Sequence, residues 1–116
     1  MINGFSIETS PLNEYERKIL IPLFVKAFKV KNKMIITNNI ICEKLKNLGY
    51  KISPSRTRKI INHIRINNLV PCLIATSGGY YVSSDVDEIM TYCESLKQRA
   101  EAILAVRNAL LKQIRI

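Results

Sequence analysis

Apolar and polar residues alternate along the chain with two periods, and the helical one dominates. In "TSPLNEYERKILIPLFVKAFKV" the apolar positions 12, 15, 19, 20, 23, 24, 27 and 28 follow helical spacing. Ser10 as N-cap, Pro11 at the first helical position, and Glu14 and Glu16 in the first turn predict where this helix begins. Pro22 removes a backbone donor and crowds the preceding turn, so a kink, or a break into two shorter helices, is expected there. A brief extended run, Met34–Ile36, follows. Thr37 then caps "NNIICEKLKNLG", in which Ile40, Ile41, Leu45 and Leu48 line one side and Gly49 is the left-handed stop.

The third helix follows from "SPSRTRKIINHIRINN", with Ser53 as its cap and Pro54 at its first position. Thr57, Ile60, Ile61 and Ile64 form a single stripe that must face a core. That geometry turns Ser55, Arg56, Lys59, Asn62 and His63 outward, with Arg58 and Arg65 on the flanks. Asn67 and Asn68 can end the helix, because Asn tolerates left-handed backbone.

The period then changes to two. "LVPCLIATSGGYYVSS" reads as a β-hairpin with strands near Leu73–Ala75 and Tyr80–Val82, and "TSGG" supplies a turn with Gly where positive φ is needed. After Ser84, expected to cap with Asp87 and Glu88, about thirty residues run without Gly or Pro. Ile89, Cys93, Leu96, Ala100, Ile103, Leu110 and Ile114 recur in steps of four and three, a heptad seam interrupted at Arg107. Self-association through this helix is expected; the alternative is that it folds back on the first helix of its own chain.

The fold class is therefore mostly α with a small β-hairpin (α+β). Residues 1–10 read as a flexible N-terminus, 11–83 as one domain and 84–116 as a long C-terminal helix.

Charge sharpens this picture. The chain has 116 residues and a net charge of +9, and the excess is local. Between Lys26 and Val70 there are eleven Lys and Arg against the single acid Glu43. Such a field attracts a polyanion, whereas an ordinary solvated surface mixes its signs. The three cysteines are widely spaced and His63 is the only histidine, so no zinc site or other cofactor is expected, and the thiols read as buried and reduced. No nucleophile–base motif or phosphate loop points to an enzyme. The start of the chain lacks a signal-peptide pattern and the apolar runs are too short to cross a bilayer. A cytoplasmic protein with no membrane partner is expected.

The order helix, short strand, helix, basic helix, hairpin matches a winged helix-turn-helix with a long C-terminal helix, a fold that lays its third helix in the DNA major groove. The stretches "IPLFVKAF", "ITNNIICEKLKNLGYKIS", "RKIINHIR" and "LIATSGGYYVSSDVDEI" resemble small winged-helix proteins encoded by phages and prophages. More distantly, the domain is similar to the N-terminal module of biotin-operon-type repressors. The resemblance runs from about residue 13 to the C-terminus. It implies a DNA-binding domain, in a transcriptional regulator or a replication or packaging accessory factor. One departure stands in the turn, where such proteins usually carry lysine just before Gly-Tyr and this chain has glycine.

Individual roles follow from side-chain chemistry. Arg56 and Asn62 are expected to read base edges, with Lys59 on either base or phosphate. Arg58 and Arg65 are expected on phosphates. Ser55 and His63 are further candidates, as are Thr37 and Asn38 at a helix N-terminus and Thr76 and Ser77 at the hairpin tip. The expected partner is double-stranded DNA, with a homodimer formed through the C-terminal helix. A protein-interaction module on the same scaffold and an RNA binder are the alternatives.

Overall fold

The structure is a computed structural model that describes residues 10–30 and 35–114. Positions 1–9 of the expected flexible N-terminus, and Met34 of the expected extended run, lie outside the described residues. The chain divides into two units, residues 1–83 and 84–116. It is mostly helical, with one two-stranded antiparallel hairpin.

In the first unit a π-helical turn, Glu16–Leu20, runs directly into helix α1, Ile21–Val30. Asn13 starts this helix, in place of the expected Ser10. Asn13 Oδ1 accepts from the Glu16 N–H at 2.8 Å, and Glu16 Oε1 accepts from the Asn13 N–H at 2.9 Å. This reciprocal capping box satisfies two backbone donors where a serine cap satisfies one. Of the two outcomes expected at Pro22, the alternative of a break into two shorter helices is absent. Proline leaves the carbonyl four residues back without a donor, and the helix adjusts just upstream. The Ile21 N–H reaches Glu16 O, five residues back, so the coil widens and continues.

Helices α2, Asn38–Asn47, and α3, Pro54–Ile66, are built alike. Thr37 accepts from the Ile40 N–H and Ser53 from the Arg56 N–H, both at 3.2 Å. Both helices end in the same left-handed motif, at Gly49 with φ 91° and at Asn68 with φ 57°. Tyr50 N–H returns to Leu45 O at 2.8 Å, and Leu69 N–H to Ile64 O at 3.1 Å. These four boundaries match the sequence reading.

Strands β1, Leu73–Thr76, and β2, Gly79–Val82, pair from Leu73 opposite Val82 to Thr76 opposite Gly79, leaving a two-residue loop, Ser77–Gly78. On the outer side of β2, Ile36 makes a one-residue bridge. Its N–H donates to Tyr80 O at 2.9 Å and its carbonyl accepts from Tyr80 N–H at 2.8 Å. The segment before α2 is thereby tied to the hairpin.

The core is filled by Leu20, Ile21, Phe24 and Phe28 from the first helix, Leu45 from α2, and Thr57, Ile60, Ile61 and Ile64 from α3. Val70, Leu73 and Tyr80 close it from the hairpin side. Each large apolar side chain taken out of water contributes about 1.5–3 kcal/mol before entropy is counted. Buried Thr57 satisfies its hydroxyl by donating to Ser53 O at 3.0 Å. The expected stripe on α2 is narrower than predicted. Leu45 is buried and Ile41 half-buried, but Ile40 and Leu48 are exposed. The thiols also differ from expectation: Cys42 is half-buried, while Cys72 and Cys93 are exposed. Cys72 sits in the turn before β1 with φ 62°.

The second unit is one helix, α4, Val86–Gln113. Its 28 residues span about 42 Å. Asp85, in place of the expected Ser84, caps it, accepting from the Asp87 N–H at 3.0 Å and the Glu88 N–H at 3.4 Å. A carboxylate also complements the positive end of the helix dipole, which a serine hydroxyl does not. No residue of α4 is buried. No described helix is long and apolar enough to cross a membrane.

Candidate nucleic-acid interface

Because the stripe of Thr57, Ile60, Ile61 and Ile64 faces inward, the remaining side chains of α3 divide onto two sides. Ser55, Arg58, Lys59, Asn62 and Arg65, at steps of three, one, three and three, line one wall of a concavity of about 530 Å³. Ala75 and Tyr80 of the hairpin form the facing wall. No acid is among the lining residues. Arg58 and Asn62 are exposed; Ser55, Lys59 and Arg65 are half-buried.

Tyr80 sets this wall in place. Its hydroxyl donates to Asn38 Oδ1 at 2.6 Å, its backbone bridges Ile36, and its ring is buried. Burial pushes its hydroxyl above the ordinary value of 10.0, while the charges of Arg58 and Arg65 and the bond to Asn38 pull it back.

Arg56 lies on the other side of α3, which corrects its assignment as a base reader. Its Nε donates to Glu16 Oε2 at 2.8 Å and its Nη2 to Glu16 Oε1 at 2.6 Å, a bidentate pair. Nη1 donates to Ser10 O at 2.8 Å and Nη2 to Pro11 O at 3.1 Å. The side chains of Arg56 and Glu16 are only 12% and 4% exposed, so this fork is spent inside the protein. The hydrogen bond from Arg56 holds the Glu16 carboxyl below its ordinary 4.5 against the opposing effect of burial. The Asn13 N–H and the charges of Arg56 and Arg17 act in the same direction as that bond.

The other predicted residues are scattered. His63 is half-buried and outside the concavity, with its Nδ1 3.3 Å from the Asn67 amide nitrogen. Thr37 is occupied as a cap and Asn38 as the acceptor for Tyr80. Thr76 closes the hairpin turn, donating to Gly79 O and accepting from the Gly78 N–H, both at 3.2 Å. Ser77 is exposed in the loop. Among the predicted residues, then, one cluster of five is brought together. Sequence reasoning missed Ala75 and Tyr80 as its facing wall, and Glu16 as the partner of Arg56. The spacing Asn13-x-x-Glu16 was the available signal for a fixed carboxylate at that place.

Along α4, Cys93, Leu96, Ala100, Ile103, Leu110 and Ile114 are exposed and Ile89 is half-buried. Among the described residues no group of three or more His, Cys, Asp or Glu could hold a metal ion. In comparisons with known proteins, no family model matches the chain, and neither a curated protein nor a solved structure matches it.

Proposed function

We propose that the chain is a winged-helix protein that grips double-stranded DNA between α3 and the hairpin. The observation that carries this reading is the acid-free concavity in which Arg58, Lys59, Asn62 and Arg65 face the wall made by Ala75 and Tyr80. In this reading α3 enters the major groove and the hairpin lies along the adjoining backbone. Arg58 and Arg65 hold phosphates and fix the register. Asn62, at the exposed centre of the cluster, offers the paired donor and acceptor that match an adenine edge. Arg56 takes no part beyond fixing the start of α3.

The test is fluorescence anisotropy with a labelled pool of random duplexes. With Arg58 and Arg65 on phosphates and Lys59 on a third, the slope of log K on log salt is expected near −2.7, a loss of about 40-fold between 50 and 200 mM salt. Arg58→Ala is expected to flatten the slope by about 0.9, and Asn62→Ala to change sequence choice more than salt dependence. A folded variant carrying Arg58→Ala, Lys59→Ala and Arg65→Ala that binds like the unaltered protein would overturn the assignment. Stronger binding to structured RNA than to duplex DNA would turn it to the RNA reading.

A further inference from the structure

We infer that the exposed apolar face of α4 pairs with the same face of a second copy running in the opposite direction. The inference deepens the DNA-binding reading, giving that protein two DNA-binding units, but it is tested on protein without DNA. Failure of one is therefore distinguishable from failure of the other.

Two observations choose the partner and its direction. First, α4 carries an apolar seam, broken at Arg107, that is exposed from Cys93 onward: Ile103 is 69% exposed, Leu110 55% and Ile114 73%. A second copy offers a seam of identical length and period, and two such seams mesh. Second, charge on the helix is polar. From Asp85 to Leu96 there are four acids and no base, and from Lys97 to Gln113 four bases and one acid. Parallel pairing lays acid beside acid and base beside base, and sets Arg107 against the partner's Arg107 within the seam. Antiparallel pairing lays the acidic half on the basic half. With the seams fully overlapped, Arg107 faces the partner's Leu96 and Cys93 faces the partner's Leu110. A long arginine beside a leucine can extend its charge to the rim, toward the partner's acidic half.

Cysteine cross-linking reads the direction. In a background of Cys42→Ser and Cys72→Ser, Cys93 remains as the only thiol. Oxidised in air with copper phenanthroline, this protein is expected to stay uncross-linked, and addition of Leu110→Cys is expected to give a covalent dimer. Within one helix positions 93 and 110 stand about 26 Å apart, far beyond disulfide reach, so the link must be between copies. Rapid linking through Cys93 alone would reverse the direction and overturn the proposal, as would no link with both thiols present. Should the serine background not fold, sedimentation of the unaltered protein serves. A dimer of the 13.3 kDa chain that Ile103→Glu converts to monomer supports the pairing; a monomer at tens of micromolar overturns it.

Discussion

Arg56→Met is expected to lower the stability of residues 1–83 by about 3–5 kcal/mol, because it leaves the Glu16 carboxylate buried and unpaired. For a unit of this size that is a fall in Tm on the order of 15–25 °C, measurable by circular dichroism. The double variant Glu16→Gln with Arg56→Met keeps a side chain able to complete the capping box and removes the stranded charge. It is expected to recover most of the loss. A single Arg56→Met variant as stable as the unaltered protein would show that the pair is ornamental. The same pair predicts acid behaviour. Glu16 has a lower pKa folded than unfolded, so its contribution is complete above about pH 4.5 and disappears as pH falls through the depressed value. In urea titrations between pH 7 and pH 3, the stability gap between the unaltered protein and Glu16→Gln should be level above pH 4.5 and narrow below it.

Gly79→Ala should cost about as much, for a steric reason. Gly79 has φ 128°, and a Cβ there would lie 2.7 Å from Ile36 O and 2.9 Å from Ile35 Cγ2. The carbonyl belongs to the bridge with Tyr80 and has no slack, so the side chain and the bridge exclude one another. A loss of about 3 kcal/mol is expected, from the backbone conformation and the displaced bridge together. Gly78 is the opposite case: its nearest neighbour to an added Cβ is Thr76 Oγ1 at 3.7 Å, and its φ is one that other residues adopt. Gly78→Lys is expected to fold normally and, if the hairpin lies along a DNA backbone, to tighten binding and steepen the salt slope by about 0.9. Thermal melts of the two variants side by side check the contrast; equal melts would refute it.

These two sites also mark where local sequence reading succeeds and stops. Thr37, Ser53, Gly49 and Asn68 were legible because a cap or a left-handed stop is decided within four residues. The inward stripe of α3 was legible for the same reason: burial of Thr57, Ile60, Ile61 and Ile64 follows from the helical period alone. Arg56 was not. Its Cα points outward as expected, but a side chain of that length can swing to an acid forty positions earlier, and periodicity carries no word of such a partner. The start of the first helix failed through competition between two local signals. Asn13 with Glu16 closes two bonds, while the carbonyls of Ser10 and Pro11 turn to Arg56. Ile40 and Leu48 were misjudged because only Leu45 of this ten-residue helix is buried, a narrower stripe than the helical period offers. The positive charge of residues 26–70 was plain in the sequence; that Arg58, Lys59 and Arg65 line one concavity required the hairpin to be in place.

Tyr80 is held at three points, two through the Ile36 backbone before α2 and one through Asn38, the first residue of α2. Three such bonds at about 1 kcal/mol each would hold the detached state to roughly one molecule in 150. The hairpin is thus a strut and not a flap: a tug on its tip is transmitted to the first turn of α2, and the two walls of the cleft are tied to each other before any ligand arrives.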